Sequence, residues 1–277
     1  MNRILKCMVV LILLSSMATL CYAQSQSSAY QDVGIAEAEE SLRTFLSSID
    51  NERSGADIRI TSQGDFATSA GDYYEFETDE GNFKVYKKTG EVESAWFYQD
   101  QTNSGKSDLS KDESLKLAKE FAQEHYPAFD NLNMVLIDSE KSEGNNGRAR
   151  YLFKWYEVEN PLFDTEVYTS NYVIIAVEGG EIAGYIGVER ETEVSLNPEI
   201  SESEAMEKAV SAISLPADPD GNYEYDNKLC ISYFDGKQNL AWYINIDNGM
   251  DSWGYASGGQ AVIDAHNGDV LLKNPYM

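Results

Sequence analysis

Three stretches of the chain space their apolar residues at intervals of three and four, the period of one helical face. Ile35, Ala38, Leu42, Phe45, Leu46 and Ile49 predict a first helix. Leu115, Ala118, Phe121 and Ala122 predict a second, stopped by Pro127. Met206, Ala209, Val210 and Ile213 predict a third, stopped by Pro216. Ser110 with Glu113, and Ser201 with Glu204, precede the later two at capping-box spacing. In that arrangement the Ser hydroxyl accepts from the third helical amide and the Glu carboxylate reaches back to the Ser amide.

After each helix the period shortens to two, the mark of a half-buried strand. Strands are expected near 57–62, 73–78, 82–87 and 92–99, near 134–139, 148–157, 171–178 and 181–189, and near 228–234, 239–247, 259–264 and 269–272. Asp79-Glu80-Gly81, Thr89-Gly90, Gly179-Gly180 and Asn267-Gly268 supply turns, the last as a type I′ signal. The stretches 160–170 and 248–258 read as long loops, where binding residues tend to sit.

The pattern recurs. Trp155-Tyr156 and Trp242-Tyr243 follow the second and third helices, and Gly90-Glu91-Val92, Gly180-Glu181-Ile182 and Gly268-Asp269-Val270 close three final hairpins. A fixed period of this kind fixes architecture before individual residues are considered. The expectation is an α+β protein of tandem units over 30–100 (degenerate), 108–190 and 199–273, each a helix packed on an antiparallel sheet of about four strands. Residues that recur with the fold belong to its core, so the Trp-Tyr pairs read as packing.

The first 23 residues read as a secretory signal: Arg3 and Lys6, the apolar run Met8–Leu14, then Cys21-Tyr22-Ala23 with cleavage after Ala23. Lipidation at Cys21 is disfavoured by Leu20, and no later segment is apolar enough to span a membrane. The chain is thus placed as secreted or in the cell envelope. Cys230 is then the one cysteine of the mature chain, which excludes an internal disulfide. The formal charge of −26 disfavours nucleic acid and anionic membranes and favours cations or a basic partner.

Leu240-Ala241-Trp242-Tyr243-Ile244, followed by Gln260–Val270 with its Asn267-Gly268-Asp269 turn, resembles the PepSY domain and its YcdB/YcdC-type relatives. Ser110–Ala122 with Tyr172–Tyr185 is similar more loosely, and Lys84–Glu93 matches only the terminal hairpin. The resemblance covers most of residues 108–273. It implies a non-catalytic module that accompanies secreted peptidases as a propeptide or inhibitor, or that binds other envelope proteins. No peptidase motif occurs here, so a regulated peptidase would be a separate chain.

No catalytic constellation emerges. His125 and His266 stand outside any His-Glu-x-x-His motif and read as capping or surface residues, and no Gly-x-Ser-x-Gly elbow or phosphate-binding glycine loop is present. No cofactor is expected. The partner-binding candidates are the loop aromatics Phe163, Tyr168, Trp253 and Tyr255. Asp218, Asp220, Asp247 and Asp251 are weak calcium candidates, because neither Asp-rich segment has EF-hand spacing. The reading is a secreted, non-catalytic binding protein. The alternatives are a hydrolase using Asp164, Glu166, Asp247 and Asp251, or a calcium-binding structural envelope protein.

Overall fold

The computed structural model describes residues 32–49, 58–98, 109–144, 147–162, 165–215, 223–250 and 256–276. The three helices lie where the apolar period puts them: α1 at Ile35–Ile49, α2 at Lys111–His125 and α3 at Glu202–Ala212. Both capping boxes are formed. Ser110 Oγ accepts from the Glu113 amide at 3.3 Å while Glu113 Oε2 accepts from the Ser110 amide at 2.9 Å. Ser201 and Glu204 repeat this at 3.3 and 2.8 Å. The Ser bonds hold both Glu carboxyls below their ordinary pKa. Ser110→Ala is expected to cost about 1 kcal/mol, read as a lower melting temperature, whereas Ser110→Asn should melt close to wild type.

The strands among the described residues are β1 Ile60–Thr68, β2 Gly71–Thr78, β3 Gly81–Tyr86, β4 Val92–Phe97, β5 Met134–Glu143, β6 Ala149–Leu162, β7 Thr165–Glu178, β8 Glu181–Val188, β9 Glu224–Phe234, β10 Lys237–Met250, β11 Ala256–Asp264 and β12 Val270–Tyr276. In chain order each helix is followed by four strands. The expected tandem units, each closed on its own four-stranded sheet, are nevertheless wrong. The ladders join in the order β1-β2-β3-β4-β8-β7-β9-β10-β11-β12, with β6 on β7 and β5 on β6, as one mixed twelve-stranded sheet. β4 pairs antiparallel with β8 through Ser94–Ile186, Ala95–Tyr185 and Trp96–Gly184. β7 pairs parallel with β9 through Val167–Leu229 and Tyr168–Cys230. Separate sheets would each leave two open rows of backbone groups, and these pairings close several of them.

The expected long loops are largely strand as well. β6 and β7 run 14 residues each, so 160–162 and 165–170 are strand. Similarly β10 reaches Met250 and β11 begins at Ala256.

By contact density the chain divides into Met1–Trp155 with Tyr172–Glu189, and Tyr156–Asn171 with Arg190–Met277. The first unit carries α1, α2 and a core that includes Leu42, Phe76, Phe83, Phe153, Ile175 and Tyr185, each almost wholly buried. His125, expected as a capping or surface residue, is the last residue of α2, and its ring is buried. Its side chain is 6% exposed and lies edge-on to Phe45 and tilted against Phe121, with centroids at 5.3 and 4.2 Å, and burial lowers its pKa. The Tyr185 hydroxyl donates to its backbone oxygen at 3.1 Å. The second unit packs α3 over Leu229, Leu240, Trp242, Ile244, Ile246 and Ile263.

Turn chemistry is mixed. Gly179 and Gly180 both have positive φ, 57° and 82°, as their two-residue hairpin requires. Asn267-Gly268 does not form the type I′ turn: of the pair, only Gly268 has positive φ. Instead Asp264 Oδ1 accepts from the amides of His266 and Asn267, and the Gly268 amide donates to the Asp264 carbonyl. The turn at Gly90 repeats that last bond, donating to Tyr86. A primed turn does occur at Asp235-Gly236, φ 50° and 73°, a sequence signal that the reading of the chain passed over.

Candidate functional site

In the first unit, an open cleft of about 360 Å³ lies beside strand β5. Its apolar wall is Leu115 from α2, Phe129 from the turn after α2, Met134 and Leu136 from β5, and Trp155 from β6. Lys119 and Asp130, both exposed, complete its lining.

Local sequence builds this wall. The Ser110 cap starts α2 so that Leu115 falls beyond its first turn. Pro127 ends the helix, and the chain folds tightly: Phe129 N donates to Tyr126 O at 2.9 Å and Leu132 N to Ala128 O at 3.0 Å. Tyr126 is anchored by its hydroxyl to Val188 O at 3.0 Å. This fixes Phe129 edge-on to Trp155, with centroids 5.7 Å apart at 77°. Phe153 supports the same indole at 6.0 Å. Trp155, 4% exposed, and Phe129, 6% exposed, therefore form a rigid floor, while Leu136 at 37% and its neighbour Val135 at 40% remain open. A volume of this size falls in the range of clefts that take a small ligand or a pair of side chains.

The middle of β5 carries charge. Lys154 is 4% exposed, and its ammonium donates to Asp138 Oδ2 at 3.0 Å and Glu140 Oε1 at 2.6 Å. Burial alone would lower the lysine pKa, and the two carboxylates reverse that, leaving it raised. Asp138 is partly buried, yet its bonds to Glu140 and Lys154 hold its carboxyl below the usual range. Burial and the neighbouring Asp138 push Glu140 up. One cation is thus shared between two acids.

The residues singled out from sequence are scattered. Tyr168 lies on β7 rather than on a loop, half-buried, its ring 6.4 Å from Tyr156 and its hydroxyl 3.4 Å from Glu166. Burial, then Glu166, raises its pKa. Asp247 sits on β10 opposite Glu224 and Gly258. Phe163, Trp253, Tyr255, Asp164, Asp218, Asp220 and Asp251 lie outside the described residues, as does the signal segment. Among the described residues no group of three or more His, Cys, Asp or Glu could hold a metal ion, and no helix is long and apolar enough to cross a membrane. Cys230 is partly buried, and burial of its thiol pushes the pKa up to about 12.

Sequence reasoning missed the cleft. Met134-Val135-Leu136-Ile137 was visible as a strand, but nothing local says that β5 lies at an edge.

No family model and no curated protein matches the chain. Among solved structures, the Bacillus megaterium YpeB C-terminal domain is similar with a TM-score of 0.44 at 16% sequence identity, over 89% of this chain and 99% of that one. A likeness of that degree assigns this chain neither fold nor function.

Proposed function

We propose that this is a secreted, non-catalytic binding protein that holds a segment of another extracytoplasmic protein in the cleft beside β5. The observation that carries the reading is the pairing of a rigid, buried aromatic floor with an exposed apolar rim. Trp155 and Phe129 are held in place by the core, whereas Leu136, which also lines the cleft, is 37% exposed. Apolar anchors seated in such recesses dominate protein–protein affinity. The secretory reading of residues 1–23 gives the compartment. The PepSY resemblance of the sequence makes a secreted peptidase the first partner to try.

Cross-linked capture from the native secretome tests this. Leu136→Asp should lose a partner that wild type and Tyr168→Ala both retain. Identical partner sets for wild type and Leu136→Asp would rule out the cleft, and turnover of any substrate in a secreted-hydrolase panel would rule out a purely binding role.

A further inference from the structure

Resting on that reading, we propose the binding mode and the partner class: an extended polypeptide adds as a strand to the free edge of β5, with an apolar side chain in the cleft and basic residues along the acidic half of the strand. Among the described residues β5 pairs with β6 alone, so one side of Met134–Glu143 has no strand partner among them. Natural sheets blunt such edges with charge, proline or bulges. β12 contains Lys273 and Pro275, and the run Ser62-Gln63-Gly64-Asp65 of β1 is polar throughout. β5 instead begins with four apolar residues in succession, of which Val135 and Leu136 are exposed. Main-chain bonds along an edge supply affinity to any sequence, and pockets for alternate side chains supply selection.

Charge selects the occupant. The second half of β5 carries Asp138, Glu140 and Glu143 against Lys141, and Lys154 is already shared by two of those acids. This edge is net negative on a chain of charge −26, so it steers cationic segments. A second copy of the protein is the wrong partner on two counts. It brings the same repelling charge. A twofold-related pair of β5 strands would also run antiparallel, setting each apolar half against the other copy's charged half.

The test selects from a random decapeptide library displayed against the protein. The strongest binder is then resynthesised with its amides N-methylated at alternate positions, in either of the two phases. Enriched sequences should alternate apolar residues and carry Lys or Arg toward one end. One methylation phase should weaken binding about tenfold or more, the other should leave it nearly unchanged, and Glu in place of the basic residues should weaken it likewise. Enrichment without alternation, equal effects of both phases, indifference to the charge reversal, no enrichment at all, or a β5-dependent dimer in sedimentation would each overturn strand addition. If partner capture still depends on Leu136 while both methylation phases behave alike, the cleft reading stands and the strand-addition mode falls. If capture is indifferent to Leu136, the cleft reading itself falls.

Discussion

Lys154→Met is expected to destabilise the protein by about 2–3 kcal/mol at neutral pH, and by much less near pH 4. The methionine keeps most of the lysine stem's volume, so the change isolates the ammonium. Without it, Asp138 and Glu140 face one another on β5 with no cation between them. Removing one partner of a fully buried pair costs about 3–5 kcal/mol. Here the acids keep 33% and 21% exposure, so solvent screening moves the expectation to the lower end. The pH dependence has a definite sign. In the variant the folded carboxyls bind protons more readily than the unfolded ones, so stability falls as pH rises above the carboxylate range, and acidification restores it. In wild type the depressed Asp138 contributes stability above its unfolded pKa that is lost as pH falls, and the raised Lys154 contributes stability that is lost only as pH climbs through its folded value. Urea unfolding of both proteins from pH 4 to 8 measures the gap. A gap that stays constant across that range would assign the loss to packing of the stem and not to charge.

That ion triad also shows where the sequence was legible and where it was not. Helix signals were legible where one segment determines its own state, whereas the type I′ signal at Asn267-Gly268 misled and the one at Asp235-Gly236 was missed. The α1 stripe gives Ile35–Ile49 to the residue, and both Ser–x–x–Glu boxes form as written. Strand existence followed from alternation, but strand length did not. The expected loops were to open at Asn160 and Asn248, yet β6 runs on to Leu162 and β10 to Met250. Pairing between distant strands was invisible. Nothing in Ser94-Ala95-Trp96 announces β8 as its neighbour, although Gly184 marks the place in retrospect: a Cβ there would meet the Trp96 ring at 2.5 Å. The cleft escaped for the same reason. Its floor residue, Trp155, was recognised as core from its recurrence at Trp242, and only the edge position of β5 turns one side of that core into a recess. Aromatics were sought on loops; of those, Tyr168 lies on β7, and Phe163, Trp253 and Tyr255 lie outside the described residues.

Trp155→Ala is expected to cost about 3–5 kcal/mol, while Leu136→Asp, in the wall of the same cleft, should shift the melting temperature little. The indole is 4% exposed and packs on both Phe129 and Phe153, so its loss leaves a void that those rings cannot collapse into without leaving their own positions. Leu136 at 37% exposure already meets water, and substitutions at such positions usually fall within about 0.5 kcal/mol. Trp242 provides the control from the second unit. It is 7% exposed, it shares a core with α3, and its indole nitrogen donates to Ile200 O at 3.2 Å, so Trp242→Ala should cost at least as much as Trp155→Ala. Denaturant unfolding of the three variants separates scaffold from rim. A large loss for Leu136→Asp would mean that the rim is structural, and its use as a binding probe would then be void. A small loss for Trp155→Ala would mean that the floor is not rigid, and a cleft whose floor yields cannot discriminate one anchor side chain from another. The cost of the tryptophan deletion therefore measures how well the recess is preorganised to receive a partner.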